Sequence, residues 1–129
     1  MAVKVVRLGS PRGKDEGIRI GTVRRPPRGV RKEDYARLDY YDVWLPELAP
    51  SAELVSWIRA REGSPADWKL FEKRYRKELS TPGNMRLLDL LAAFSKVASF
   101  SVGCFCENEA ACHRSILRKL LSERGAVIR

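Results

Sequence analysis

The sequence contains no glutamine, only two asparagines and a single histidine. A shortage of thermolabile amides is a habit of thermophile proteins, and the chain is read as one. It also lacks any long apolar run. The longest stretch of apolar and small residues, Val97 to Cys106, is about half of the roughly 20 residues that a bilayer-crossing helix requires, so no membrane partner is expected. Met1 to Ser10 alternates in polarity and has no extended apolar segment of the signal-peptide kind, which points to a cytoplasmic protein. Three cysteines form an odd set, too few for a disulfide framework and suited to a reducing compartment, although a bond involving Cys106 stays open in a thermophile. No repeat, low-complexity tract or linker interrupts the 129 residues, so one domain spanning 1–129 with one core is expected.

Positive charge is abundant and unevenly spread. The net charge is +9, and residues 1–37 alone carry eleven basic against four acidic groups. Residues 38–68 are net acidic, and the remainder of the chain is mildly basic. The densest part is "RRPPRGVRK", residues 24–32, where Pro26 and Pro27 remove backbone donors and Gly29 allows a bend. A loop with five positive groups attracts phosphate, whether on a small ligand or along a nucleic acid; as a solvated surface it would do neither.

Periodicity supplies the elements. Val3 to Leu8 and Gly17 to Val23 read as strands, the second with Ile18, Ile20 and Thr22 on one face, and Tyr40 to Leu45 reads as a third. Ser51 caps a helix to about Arg61, and Ser64, Pro65 and Asp67 open another whose inward stripe is Trp68, Phe71, Tyr75 and Leu79. Asn84 is the expected cap of a third helix burying Leu87, Leu88, Leu91, Phe94 and Val97 or Ala98. "FSVGCF" is an apolar run of the kind covered on both faces of a sheet, and a last helix with Asn108 as cap carries Ile116, Leu117, Leu120 and Leu121. "AVIR" is a candidate edge strand. The implied fold is an α/β single-domain layered sandwich with a mainly parallel sheet of about four to five strands flanked by helices.

All three cysteines and the histidine fall within "CFCENEAACHRS", residues 104–115. Cys104, Cys106, Cys112 and His113 add up to a donor set that suits zinc, but a Cys-x-x-Cys knuckle is missing and helical neighbours at 112 and 113 would diverge, so no metal and no cofactor is assigned. A phosphatase-like loop would need an arginine where Cys112 stands, and Glu107 and Glu109 would repel an anion. His113 heads the apolar stripe of the last helix, as a backbone-bonded buried residue or as a chemical group; Arg114 is placed to pair with Glu107 or to hold an anion. Trp44, Trp57, Trp68 and Tyr75 fit core positions better than a base-stacking surface.

Four ordered blocks, "GIRIGTVRRPPRGVRK", "DVWLPELAPSAEL", "FEKRYRKEL" and "CFCENEAACHRSIL", resemble the family called domain of unknown function 488, over about Gly17 to Leu121. Members carry Asp-Arg-Leu-Trp-Pro-Arg-Gly where this chain has "VRRPPRG"; Arg24, Pro27, Arg28 and Gly29 match, while Val23 and Pro26 replace the acid and the tryptophan. The resemblance implies a small intracellular α/β protein. The residues themselves give the working expectation of a cleft in which Arg24, Arg28 and Arg114 bind a small phosphate- or carboxylate-bearing, nucleotide-like ligand. Cys106, Cys112 and His113 would supply any nucleophilic or proton-transfer chemistry. The rivals are a non-catalytic nucleic-acid-binding module built on the basic first third and a zinc-stabilised interaction domain.

Overall fold

The computed structural model describes residues 1–106 and 108–129. Four strands, β1 (Val3–Arg7), β2 (Ile18–Gly21), β3 (Val43–Trp44) and β4 (Phe100–Cys104), form a sheet in the order β1-β4-β2-β3, parallel throughout. The α/β fold expected from sequence is the one observed. The apolar run "FSVGC" becomes β4, central and buried at all five positions, as a strand with both faces covered must be. The carboxyl-terminal "AVIR" contributes one parallel bridge, Ile128 to Val3, rather than a strand.

The helices α1 (Ala52–Arg59), α2 (Pro65–Glu78), α3 (Pro82–Phe94) and α4 (His113–Glu123) pack their apolar stripes around Leu48, Phe71, Tyr75, Leu88, Val102, Leu117 and Leu121. The Ser51 hydroxyl accepts from the Leu54 amide, and Ser64 with Asp67 completes a capping box. Two expected caps are corrected. Thr81, not Asn84, caps α3, because Pro82 lacks an amide hydrogen and sits naturally in the first helical position. Cys112, not Asn108, is the residue before α4, because Glu109–Ala111 first turn as a short 3-10 segment. Phe94 and Val97, expected on the buried face, are exposed, since α3 ends at Phe94 and the chain turns away. Trp57 and Trp68 flank the core as anticipated, whereas Trp44 is exposed and donates its indole hydrogen to the Val23 carbonyl.

Parallel strands were expected to need helical crossovers, yet only the β3-to-β4 connection carries α-helices. The two earlier crossovers are loops fastened by Arg19, whose side chain is fully buried. Its guanidinium pairs with Glu16 at 2.7 and 2.9 Å and donates to the carbonyls of Ser10 (2.8 Å) and Asp39 (2.7 Å), one in each loop. Glu16 in turn accepts from the Ser101 hydroxyl of β4. Of Ile18, Ile20 and Thr22, expected on one face, Ile18 is exposed, Ile20 packs against the core and Thr22 is fully buried, while Arg19 and Gly21 on the opposite face are buried as well. Gly17 lies at φ +80°, where a Cβ would stand 1.9 Å from the Ser99 carbonyl oxygen, so only glycine fits beside this pair.

Candidate functional site

Parallel pairing of β2 with β4 releases the two following loops side by side at the carboxyl edge of the sheet, where ligands of open α/β sheets settle. The strands pair Gly21 with Gly103, and the Thr22 amide and hydroxyl both donate to the Gly103 carbonyl, at 2.9 and 3.0 Å. At Gly103 a Cβ would meet the Val6 carbonyl oxygen at 2.6 Å, so the strands close in tightly just beneath the cysteines.

Above this edge opens a cleft of about 1110 Å³. Arg24, Arg25 and Arg28 of the basic loop line it, Arg59 and Arg61 extend it from α1 and the residues that follow, and Cys104, Cys106, Cys112 and His113 stand on its other side. Segments some eighty positions apart thus share one concavity. Glu62 is the one acidic lining group among the described residues.

The arginines divide their work. Arg24 donates to the carbonyls of Ala49 (2.9 Å) and Pro50 (3.2 Å), which fastens the basic loop to the start of α1. Arg25 and Arg28 are exposed and make no ion pair or hydrogen bond among the described residues. Arg114, expected to bind the ligand, is buried beneath the turn and does not line the cleft; it donates to the Cys106 carbonyl at 2.6 Å, and its Nε has no partner among the described residues. Its expected pairing with Glu107 lies outside the described residues. Glu109, expected to repel an anion, is bound in a bidentate pair by Arg118.

The three Sγ atoms lie within 4.8 Å of one another, with Cys104 and Cys112 buried and Cys106 exposed. Cys104 and Cys112 approach to 2.7 Å. Hydrogen bonds from the Cys104 and Cys112 thiols draw the Cys106 pKa far down, outweighing partial burial, and His113 and Arg114 add to the effect. The same bonds, to Cys106 and Cys112, push Cys104 up, and burial adds to it. Cys112 also ends up raised: its bond to Cys104 works downward, but the bond to Cys106 and burial prevail. One exposed thiolate held by two protonated thiols is therefore the favoured charge state.

His113 is buried against this cluster. Its Nε2 stands 2.8 Å from the Thr22 carbonyl oxygen, an acceptor, so the hydrogen is on Nε2 and the Nδ1 lone pair faces Cys112 Sγ at 3.7 Å. Helical divergence of positions 112 and 113 does not apply, because Cys112 is extended (φ −148°) and lies outside α4. The donors available for a metal are those four side chains, and a histidine bonded to a carbonyl is the orientation a metal site uses. Two sulfurs on a tetrahedral zinc would be roughly 3.8 Å apart, given Zn–S near 2.3 Å. The contact between Cys104 and Cys112, at 2.7 Å, is closer than that spacing.

Sequence reasoning passed over Arg25, Arg59 and Thr22 as individual participants. Arg25 was visible only as part of a charged run; Arg59 and Thr22 gain their places through tertiary contact, for which no local signal exists.

Uncharacterized protein Rv3073c of Mycobacterium tuberculosis and uncharacterized protein Mb3100c of Mycobacterium bovis are each 29% identical over 122 residues, covering 95% of both chains. Uncharacterized protein YeaO of Escherichia coli is 34% identical over 80 residues, 62% of this chain and 64% of its own. No solved structure matches. The model of the active DUF488-N3 subclade matches residues 3–125, a span that takes in the sheet, the basic loop and the cysteine turn together, and the chain belongs to that family.

Proposed function

We propose that the cleft binds an anionic, phosphate- or carboxylate-bearing ligand of nucleotide size and presents it to the Cys106 thiolate. The observation that carries this reading is the shared lining: the free guanidinium groups of Arg25 and Arg28 and the exposed thiol of Cys106 border one concavity. Its volume of about 1110 Å³ exceeds what a mononucleotide fills. Arg25 and Arg28 fix the anion, Arg24 holds their loop in place, and Cys106 is the nucleophile. The Cys112 thiol and the Arg114 guanidinium stabilise its charge, and His113 orients Cys112 rather than relaying protons to solvent.

Calorimetric titration with adenosine 5′-monophosphate and with inorganic phosphate tests the reading. The Arg25→Ala/Arg28→Ala double variant should lose about tenfold or more in affinity, since each tenfold is about 1.4 kcal/mol and one charge-assisted bond is of that size. Iodoacetamide should modify Cys106 in the native protein at pH 6 faster than it modifies free cysteine. Affinity that is unchanged in the double variant rejects the cleft.

A further inference from the structure

From the three-thiol cluster we infer that the protein reduces hydroperoxides, with Cys106 as the peroxide-attacking sulfur and the buried Cys104–Cys112 pair as the store of the oxidising equivalents. The inference rests on the reading of Cys106 as the thiolate of the cleft and adds a substrate class and a reaction to it.

The geometry is specific to such a sequence of steps. Cys106 is the exposed sulfur and lines the cleft, so it meets a solute first. Cys104 and Cys112 are buried, protonated thiols with both sulfurs within 4.8 Å of Cys106. The Arg114 guanidinium lies beneath the same turn, donates to the Cys106 carbonyl, and by its charge favours the Cys106 thiolate. An anion cleft alone has no use for two further sulfurs at this spacing.

The chemistry balances in three steps. The Cys106 thiolate attacks the terminal oxygen of ROOH; the S–O bond forms, the O–O bond breaks, and RO⁻ leaves to take up a proton, giving ROH and a Cys106 sulfenic acid. The Cys112 thiol, passing its proton to the departing hydroxyl, attacks that sulfur; water leaves and a Cys106–Cys112 disulfide forms. Cys104 then gives up its proton to solvent, replacing the one that RO⁻ took up, attacks Cys112 Sγ, with which it is in contact, and releases Cys106 as the thiolate. The leaving Cys106 sulfur stays beside the Arg114 guanidinium, whose positive charge favours it as the departing thiolate. Two thiols have been oxidised and one hydroperoxide reduced to ROH and water. An external dithiol reductant restores the Cys104–Cys112 pair by the same exchange, itself becoming a disulfide.

The test is to treat the fully reduced protein with one equivalent of hydrogen peroxide at pH 7, follow the rate, and map the products under non-reducing conditions. The wild type should oxidise about a hundredfold or more faster than free cysteine, lose two hydrogens, and yield a Cys104–Cys112 disulfide with Cys106 still open to iodoacetamide. Cys106→Ser should lose the rate enhancement. Cys104→Ser should stop at a Cys106–Cys112 disulfide, and Cys112→Ser should accumulate a Cys106 sulfenic acid that dimedone traps; these two variants keep the test decisive should one of them fold poorly. Oxidation no faster than free cysteine, a rate insensitive to Cys106→Ser, or thiols masked in the purified protein by stoichiometric zinc would overturn the inference. Slow peroxide reaction together with intact nucleotide binding and fast alkylation defeats this proposal alone, whereas loss of all three defeats the cleft as well.

Discussion

His113 shows how one residue reports on the whole site. Burial lowers its pKa to about 4, against the bond to the Thr22 carbonyl and the nearby Cys106 charge, which work upward. The folded value lies below the ordinary 6.5, so the unfolded chain takes up the proton first. The stabilisation is complete above pH 6.5 and declines as pH falls towards 4. Melting temperatures measured across that window should fall in the wild type and run flatter in His113→Gln, which keeps a polar side chain but cannot titrate. An equal slope in both would show that the imidazole is not held neutral. The burial of His113 was legible from its place at the head of the Ile116–Leu117 stripe. Its partner Thr22, 91 positions away, was not, because no local pattern encodes a contact of that separation.

At the scale of elements, the sequence was informative wherever the signal was local. Ser51, Ser64 and Pro65 mark helix starts through chemistry confined to three or four residues, and α1 and α2 begin where those residues say. Strand alternation was incomplete at β2: Ile20 and Thr22 are covered, but so is Arg19, which alternation alone would leave to solvent. Here the ion pair with Glu16 and the bonds to two loop carbonyls satisfy the guanidinium and allow its burial. Burial alone would raise the Glu16 pKa, but the bonds from Arg19, Ser101 and the Gly13 amide bring it down to about 2. Removing one partner leaves an unpaired buried charge, so Arg19→Met should cost about 3–5 kcal/mol in urea unfolding. Glu16 also sets an acid limit: its contribution is full above pH 4.5 and is lost as pH falls towards 2. Because Arg19 holds both crossovers that lack an α-helix, Arg19→Met should also loosen the basic loop that follows β2. A variant within 1 kcal/mol of wild type, on the scale of an ordinary surface substitution, would remove that anchoring role.

For the molecule as a whole, a net charge of +9 was readable at once, but which positive groups are free was not. Arg76 is paired with Glu72 and Glu123, Arg118 with Glu109, Arg12 with Asp42 and Arg124 with Asp89. Those pairs occupy particular guanidinium groups and leave the net excess unchanged, and the lining arginines without a partner among the described residues are Arg25, Arg28 and Arg59. That number separates the anion cleft from the nucleic-acid module more sharply than charge does. Single-stranded DNA releases counterions with a slope of about −0.7 per phosphate contact, so three free guanidinium groups predict a slope of about −2 in log K against log salt for an oligothymidylate. A module using the whole basic first third would give a slope of about −5 or steeper, because some seven or more phosphates would then be neutralised. Fluorescence anisotropy of a labelled oligothymidylate between low and moderate salt decides between them. The shallow slope should fall towards zero in Arg25→Ala/Arg28→Ala, since what remains is Arg59 alone; a steep slope that survives the double variant would move the functional surface out of the cleft and onto the basic face.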